Sequence, residues 1–71
     1  MNKIQRIEIG KRIRIIRQDI NKTQIDMSKI LRVKQSAISK LERGEIIPTA
    51  EILLKLNKIS GKSIDWILKG D

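Results

Sequence analysis

Residues 23–44 read TQIDMSKILRVKQSAISKLERG, and their spacing decides the fold. Thr23 is a good N-cap with Asp26 at the N3 position, and Met27, Ile30 and Leu31 fall on one helical face. A helix of about Gln24 to Leu31 is therefore predicted. After the tight connection Arg32-Val33-Lys34, Ala37, Ile38 and Leu41 again share a face over Gln35 to Arg43. Gly44 follows, suited to a left-handed C-terminal cap. Two short helices joined by a three-residue turn, here over 24–43, form a helix-turn-helix, whose second helix can enter the major groove of DNA. Such pairs also occur in helical domains where they merely pack, so the pattern alone does not assign a function.

Working outward, Asn2 is placed to cap a first helix with Gln5 in the capping-box position, and Ile9, Ile13, Ile16 and Ile20 carry its apolar stripe to about Asp19. Downstream, Pro48 ends a loop and Thr49 caps a fourth helix with Ile52, Leu53, Leu56 and Ile59 inward, closed by Gly61. Ser63 caps a fifth, Ile64 to Lys69, bearing Ile64, Ile67 and Leu68. The expectation is an all-α, compact five-helix fold in one domain over 1–71, without repeats or linkers.

Composition narrows the function. Sixteen Lys and Arg stand against eight Asp and Glu, a formal charge of +8, and the chain has neither Cys nor His. Disulfides, a thiol nucleophile, imidazole catalysis and the usual zinc ligands are excluded. The acids Glu8, Asp19, Asp26 and Glu42 are scattered and no glycine-rich phosphate loop is present, so no enzyme and no cofactor are expected. The longest apolar runs, Ile52 to Leu54 and Trp66 to Leu68, are three residues long, too short for a membrane span or signal peptide; a soluble cytoplasmic protein is expected. Residues 1–40 hold eleven basic and three acidic side chains, whereas 41–71 hold five of each. The net charge thus lies in the first part, which favours an anionic partner such as nucleic acid.

The outer face of the third helix carries Gln35, Ser36, Ser39 and Lys40, groups that match base edges: an amide for adenine, an ammonium for guanine, a hydroxyl for either. The same residues would also suit an ordinary solvated face. Lys34 is more telling, because it stands at an N-cap where a hydroxyl or Asp would stabilise the helix by about 1 kcal/mol, and its charge opposes the helix dipole. An ammonium beside free N–H groups makes sense where a phosphate approaches.

With these residues in place, the chain resembles the lambda-repressor-like, Cro-type helix-turn-helix domain of the XRE family. The resemblance rests on Ile9-Gly10-Lys11-Arg12-Ile13-Arg14, Arg17, Thr23-Gln24, Val33 to Ser39, Leu41-Glu42-Arg43-Gly44, Pro48 and Ser63 to Leu68, and it spans 7–70. It implies that Gln24 bonds a phosphate and braces Gln35, that Gln35, Ser36 and Lys40 read bases, and that Ser39 touches a base or a phosphate. Arg43 is implied as a phosphate clamp, and Arg17 with Glu42 as a structural ion pair. Three positions depart from the family pattern: Ser28 for Ala, Arg32 for Gly in the turn, and Lys34 for a small hydroxyl residue. Arg32 adds a cation beside the DNA-facing edge, at the cost of strain if its φ is positive.

One such helix reads only a few base pairs, so a homodimer on a pseudo-palindromic operator of double-stranded DNA is expected. Helix 5 with the end of helix 4, through Trp66 and Ile67, is the candidate dimer surface, although Trp66 equally suits a core plug. If 71 residues is the natural length there is no built-in sensor, no small-molecule ligand is expected, and repression is favoured over activation. Two rivals remain: an antitoxin-like or adaptor module that binds another protein, and a membrane-surface role for the basic first helix. The Gln, Ser and capped turns downstream have no purpose in the second.

Overall fold

Local capping signals set the helix limits in the computed structural model, which describes residues 1–71. The five helices are α1 (Lys3–Asp19), α2 (Gln24–Leu31), α3 (Gln35–Glu42), α4 (Ala50–Ser60) and α5 (Ile64–Lys69), with no strand. Asn2 accepts from the Gln5 backbone N–H at 2.8 Å and the Gln5 side chain accepts from Asn2 N–H at 2.9 Å, the reciprocal pair expected there. Thr23 and Asp26 form a second such box at 3.1 and 3.0 Å. Thr49 and Ser63 accept from the N–H groups of Ile52 and Trp66.

The helices enclose a core of Ile9, Ile13, Ile16, Met27, Leu31, Ile38, Leu41, Ile52, Leu56 and Ile67. α1 is its axis, packing on α3, α4 and α5, while α2 packs on α3. The molecule measures 27 × 24 × 20 Å. No helix is long and apolar enough to cross a membrane.

Three expectations need correction. The third helix ends at Glu42, one residue early, with Arg43 (φ −85°, ψ −4°) as its C-cap. Gly44 then turns left-handed at φ 75°, and its N–H and that of Glu45 reach back to the carbonyls of Leu41 and Lys40. Ile30, expected inward, lies at the edge of α2 and is 37% exposed, over a shallow groove lined also by Arg32, Lys58 and Ile59. Ile67, expected on a dimer surface, is fully buried in the core, so its side chain is not available to a partner.

Gly10 sets how α1 and α3 cross. A Cβ at this buried position would stand 2.5 Å from the Leu41 carbonyl oxygen and 2.6 Å from that of Glu42. Any side chain here would push the C-terminal end of α3 away. Glycine in a helix interior destabilises by about 1 kcal/mol relative to alanine, yet here it permits backbone-to-backbone contact.

Candidate nucleic-acid interface

The turn between α2 and α3 is built on strain that the sequence made foreseeable. Arg32 adopts the left-handed conformation, φ 57° and ψ 47°, where glycine is the comfortable residue. Lys55 of α4 donates to the Leu31 carbonyl at 3.3 Å, and the Val33 N–H closes the turn on the Ser28 carbonyl at 2.9 Å. Ser28 donates its hydroxyl to the Ile25 carbonyl, so the departure from Ala is satisfied within α2. Lys34 begins α3 with extended backbone and no side-chain cap, as its chemistry requires.

α3 presents Gln35, Ser36 and Lys40 to solvent, with Ser39 half-buried beside them. The side chains of Gln35, Ser36 and Lys40 appear in none of the chain's internal hydrogen bonds or ion pairs, whereas Ile38 and Leu41 on the opposite face are at most 1% exposed. Donor and acceptor capacity is therefore concentrated on one side of a helix whose other side is locked into the core.

The C-terminal end of α3 is anchored through Glu42, whose side chain is only 3% exposed. Arg17 donates to it through Nε at 2.7 Å and Nη2 at 3.1 Å, a bidentate pair. Gln24 Nε2 donates at 3.2 Å, and Arg14 Nε lies 3.5 Å away. The bond to Glu42 raises the Arg17 pKa above its already high ordinary value, partly opposed by burial. One carboxylate thus ties α1 and α2 to the end of α3. The brace expected between Gln24 and Gln35 is not formed, because Glu42 takes the Gln24 amide; its second N–H remains for another acceptor.

Arg43 is also engaged. Its Nε donates to Glu45 and its Nη1 to the Ser39 hydroxyl. This bond to Arg43 holds the Glu45 carboxyl below its ordinary range. Arg32, Lys34 and Lys40 flank the α3 face and take part in no ion pair of the chain.

Several side chains that matter here escaped the sequence reading. Arg6 donates to the Gly44 carbonyl in the turn after α3 at 3.2 Å, and Arg12 to that of Ile67 in the last turn of α5 at 3.1 Å. Three arginines of α1 are therefore structural, and the basic charge of the first forty residues faces outward only in part. Gly10 carried a signal, a glycine within an apolar helical stripe; the arginine pairings carried none, since their partners lie as far as 55 residues away. Trp66 is half-buried against the core with Lys62 Nζ 4.8 Å from its ring centroid, so it serves as packing and remains partly exposed.

Comparison with known proteins agrees with this geometry. A helix-turn-helix family model matches residues 13–67. The HTH-type transcriptional regulator DicA of Escherichia coli (strain K12) is 38% identical over 65 residues, covering 92% of this chain and 48% of DicA. Repressor protein C2 of Salmonella phage P22 is 41% identical over 63 residues, covering 89% of this chain and 29% of C2. The chain spans about half the length of the first of these curated relatives and less of the second. Among solved structures, the P22 c2 repressor protein in complex with a synthetic operator, in the presence of Tl+, matches with a TM-score of 0.80 and 41% identity, over 89% of this chain and 96% of that one. Family match, relatives and superposition converge on the segment that holds α2, the strained turn and α3: the chain belongs to the helix-turn-helix family, of the lambda-repressor-like, Cro type.

Proposed function

We propose that this chain is a DNA-binding module of a transcriptional regulator, which occupies a pseudo-palindromic operator as a homodimer and represses. Its role is binding rather than catalysis, and its place is the cytoplasm. The observation that carries the reading is the outward face of α3, where Gln35, Ser36 and Lys40 have no partner within the chain while the opposite face is buried in the core and the C-terminal end is anchored through Glu42. Such a face is preorganised for base edges. The P22 repressor structure that it resembles holds operator DNA.

Gln35, Ser36, Ser39 and Lys40 are assigned to the bases. Arg32 and Lys34 are assigned to phosphates because they border the N-terminal end of α3, and Gln24, the first residue of α2, is assigned to one through its remaining amide N–H. The exposed part of Trp66, with the neighbouring end of α4, is assigned to the second copy. Residues 1–71 act as one domain in this scheme.

Selection of sites from a random duplex library, followed by titration of the winner against scrambled DNA at two salt concentrations, tests this. The expected result is a palindrome with half-sites about 34–36 Å apart, bound on the order of a thousandfold more tightly than scrambled DNA. A flat selection profile, with affinity that collapses as salt rises, rejects it.

A further inference from the structure

The chain of contacts Glu45, Arg43, Ser39 runs along the edge of the α3 face and has a direction. Arg43 donates from Nε to the Glu45 carboxylate and from Nη1 to the Ser39 hydroxyl oxygen. Arg43 and Glu45 are half exposed, at 56% and 49% of their side chains, so a solvated partner could have taken either. They hold each other instead, and the guanidinium lies back over the helix one turn before it.

A serine hydroxyl has one O–H to donate and two lone pairs to accept with. Here a cationic N–H occupies one acceptor site, and the charge beside it repels a second donor from the other. The Ser39 O–H makes no bond within the chain, so its donor capacity is the part left for a ligand. In the major groove guanine offers N7 and O6, adenine N7 and thymine O4 as acceptors, whereas cytosine offers only its amino donor.

We propose that Arg43 and Glu45 are positioning residues that fix Ser39 as a hydrogen-bond donor, and that the protein thereby rejects cytosine at one base position in each half-site. The inference rests on the reading of α3 as the major-groove helix. It gives Arg43 a role different from that of a phosphate clamp: the side chain sets which base is accepted, and Glu45 keeps it from swinging out to the backbone.

The test uses the full chain and its Ser39→Ala, Arg43→Met and Glu45→Gln variants. All three sites lie at the surface or its edge, and thermal melts confirm folding. Sites are selected with each protein, and the base position whose preference Ser39→Ala alters is taken as the Ser39 contact. The winning duplex and the same duplex with cytosine there are then titrated at two salt concentrations. The expected preference of the wild type against cytosine is about fivefold, the size of one net hydrogen bond. It should vanish in Ser39→Ala and fall below about twofold in Arg43→Met and Glu45→Gln. Because the readout is a ratio, the general change in affinity from altering a charge cancels.

If Arg43→Met weakens both duplexes equally, keeps the ratio and makes the salt dependence shallower by about one unit of slope, Arg43 is a phosphate clamp and the proposal is overturned. A ratio unchanged in Glu45→Gln removes Glu45 from it. A Ser39→Ala profile identical to wild type overturns it entirely while leaving operator binding intact. A wild-type profile without preference at any position is a different failure, that of the operator reading itself.

Discussion

Arg17 and Glu42 join the first helix to the end of the third by two parallel bonds of 2.7 and 3.1 Å, with the carboxylate side chain 3% and the guanidinium side chain 14% exposed. Removing one partner of a buried pair strands the other, at a cost of about 3 kcal/mol. Arg17→Ala and Glu42→Ala should each lower the urea midpoint by a corresponding amount, a large share of the stability of a domain this small. In Arg17→Ala the Glu42 carboxylate keeps Gln24 and Arg14 as neighbours. A wild-type midpoint in either variant would show that the pair contributes nothing.

Gly10→Ala places a methyl carbon within 2.6 Å of two carbonyl oxygens of the chain that ends α3. Despite the better helix propensity of alanine, the variant should be destabilised by at least about 2 kcal/mol, the range of overpacked cores. Thermal unfolding by circular dichroism measures this; a gain in melting temperature would mean that the crossing is looser than the geometry describes.

Lys34→Thr supplies the missing N-cap and removes a charge that opposes the dipole. Its expected effect is a stabilisation of about 1 kcal/mol together with weaker DNA binding. Arg32→Gly should act alike, relieving the left-handed strain at φ 57° while removing a cation from the same edge. Melting curves and titrations on one preparation of each variant check both halves; loss of stability in Lys34→Thr contradicts the account of the cap.

The Asp26 carboxyl is held below its ordinary value of 3.8, first by the backbone N–H of Thr23 and then by the Thr23 hydroxyl. A folded-state pKa below the unfolded one gives stability that is present above the unfolded value and lost as pH falls through the folded one. Wild type should therefore melt above Asp26→Asn at pH 7, and the gap should close as the pH drops below about 4. A gap independent of pH would assign the effect to shape rather than charge.

The parts of this fold written locally were legible. Asn2 with Gln5, Thr23 with Asp26, and Ser63 act within three residues of themselves, and the starts of α1, α2 and α5 follow from them. The end of α3 is not written at Arg43, which has no propensity against helix; Gly44 and the close approach of Ile7 to it decide the turn. The helix-turn-helix and its outward residues were legible for the same local reason. Ile67 was not, since a six-residue helix with four apolar side chains does not reveal which of them meets the core. Nor were the bonds of Arg6 and Arg12, whose partners are brought near only by packing.

Under the proposed DNA-binding function, the inward arginines of α1 bear on how quickly a binding site is found. Retention on random DNA depends on how many phosphates the protein neutralises at once, not on its formal charge. With Arg6, Arg12 and Arg17 turned to carbonyls and a carboxylate of the chain itself, fewer cations remain to grip an arbitrary duplex. In the proposed role, non-specific retention on DNA is therefore expected to be weaker than a charge of +8 suggests, and each encounter with a wrong position shorter.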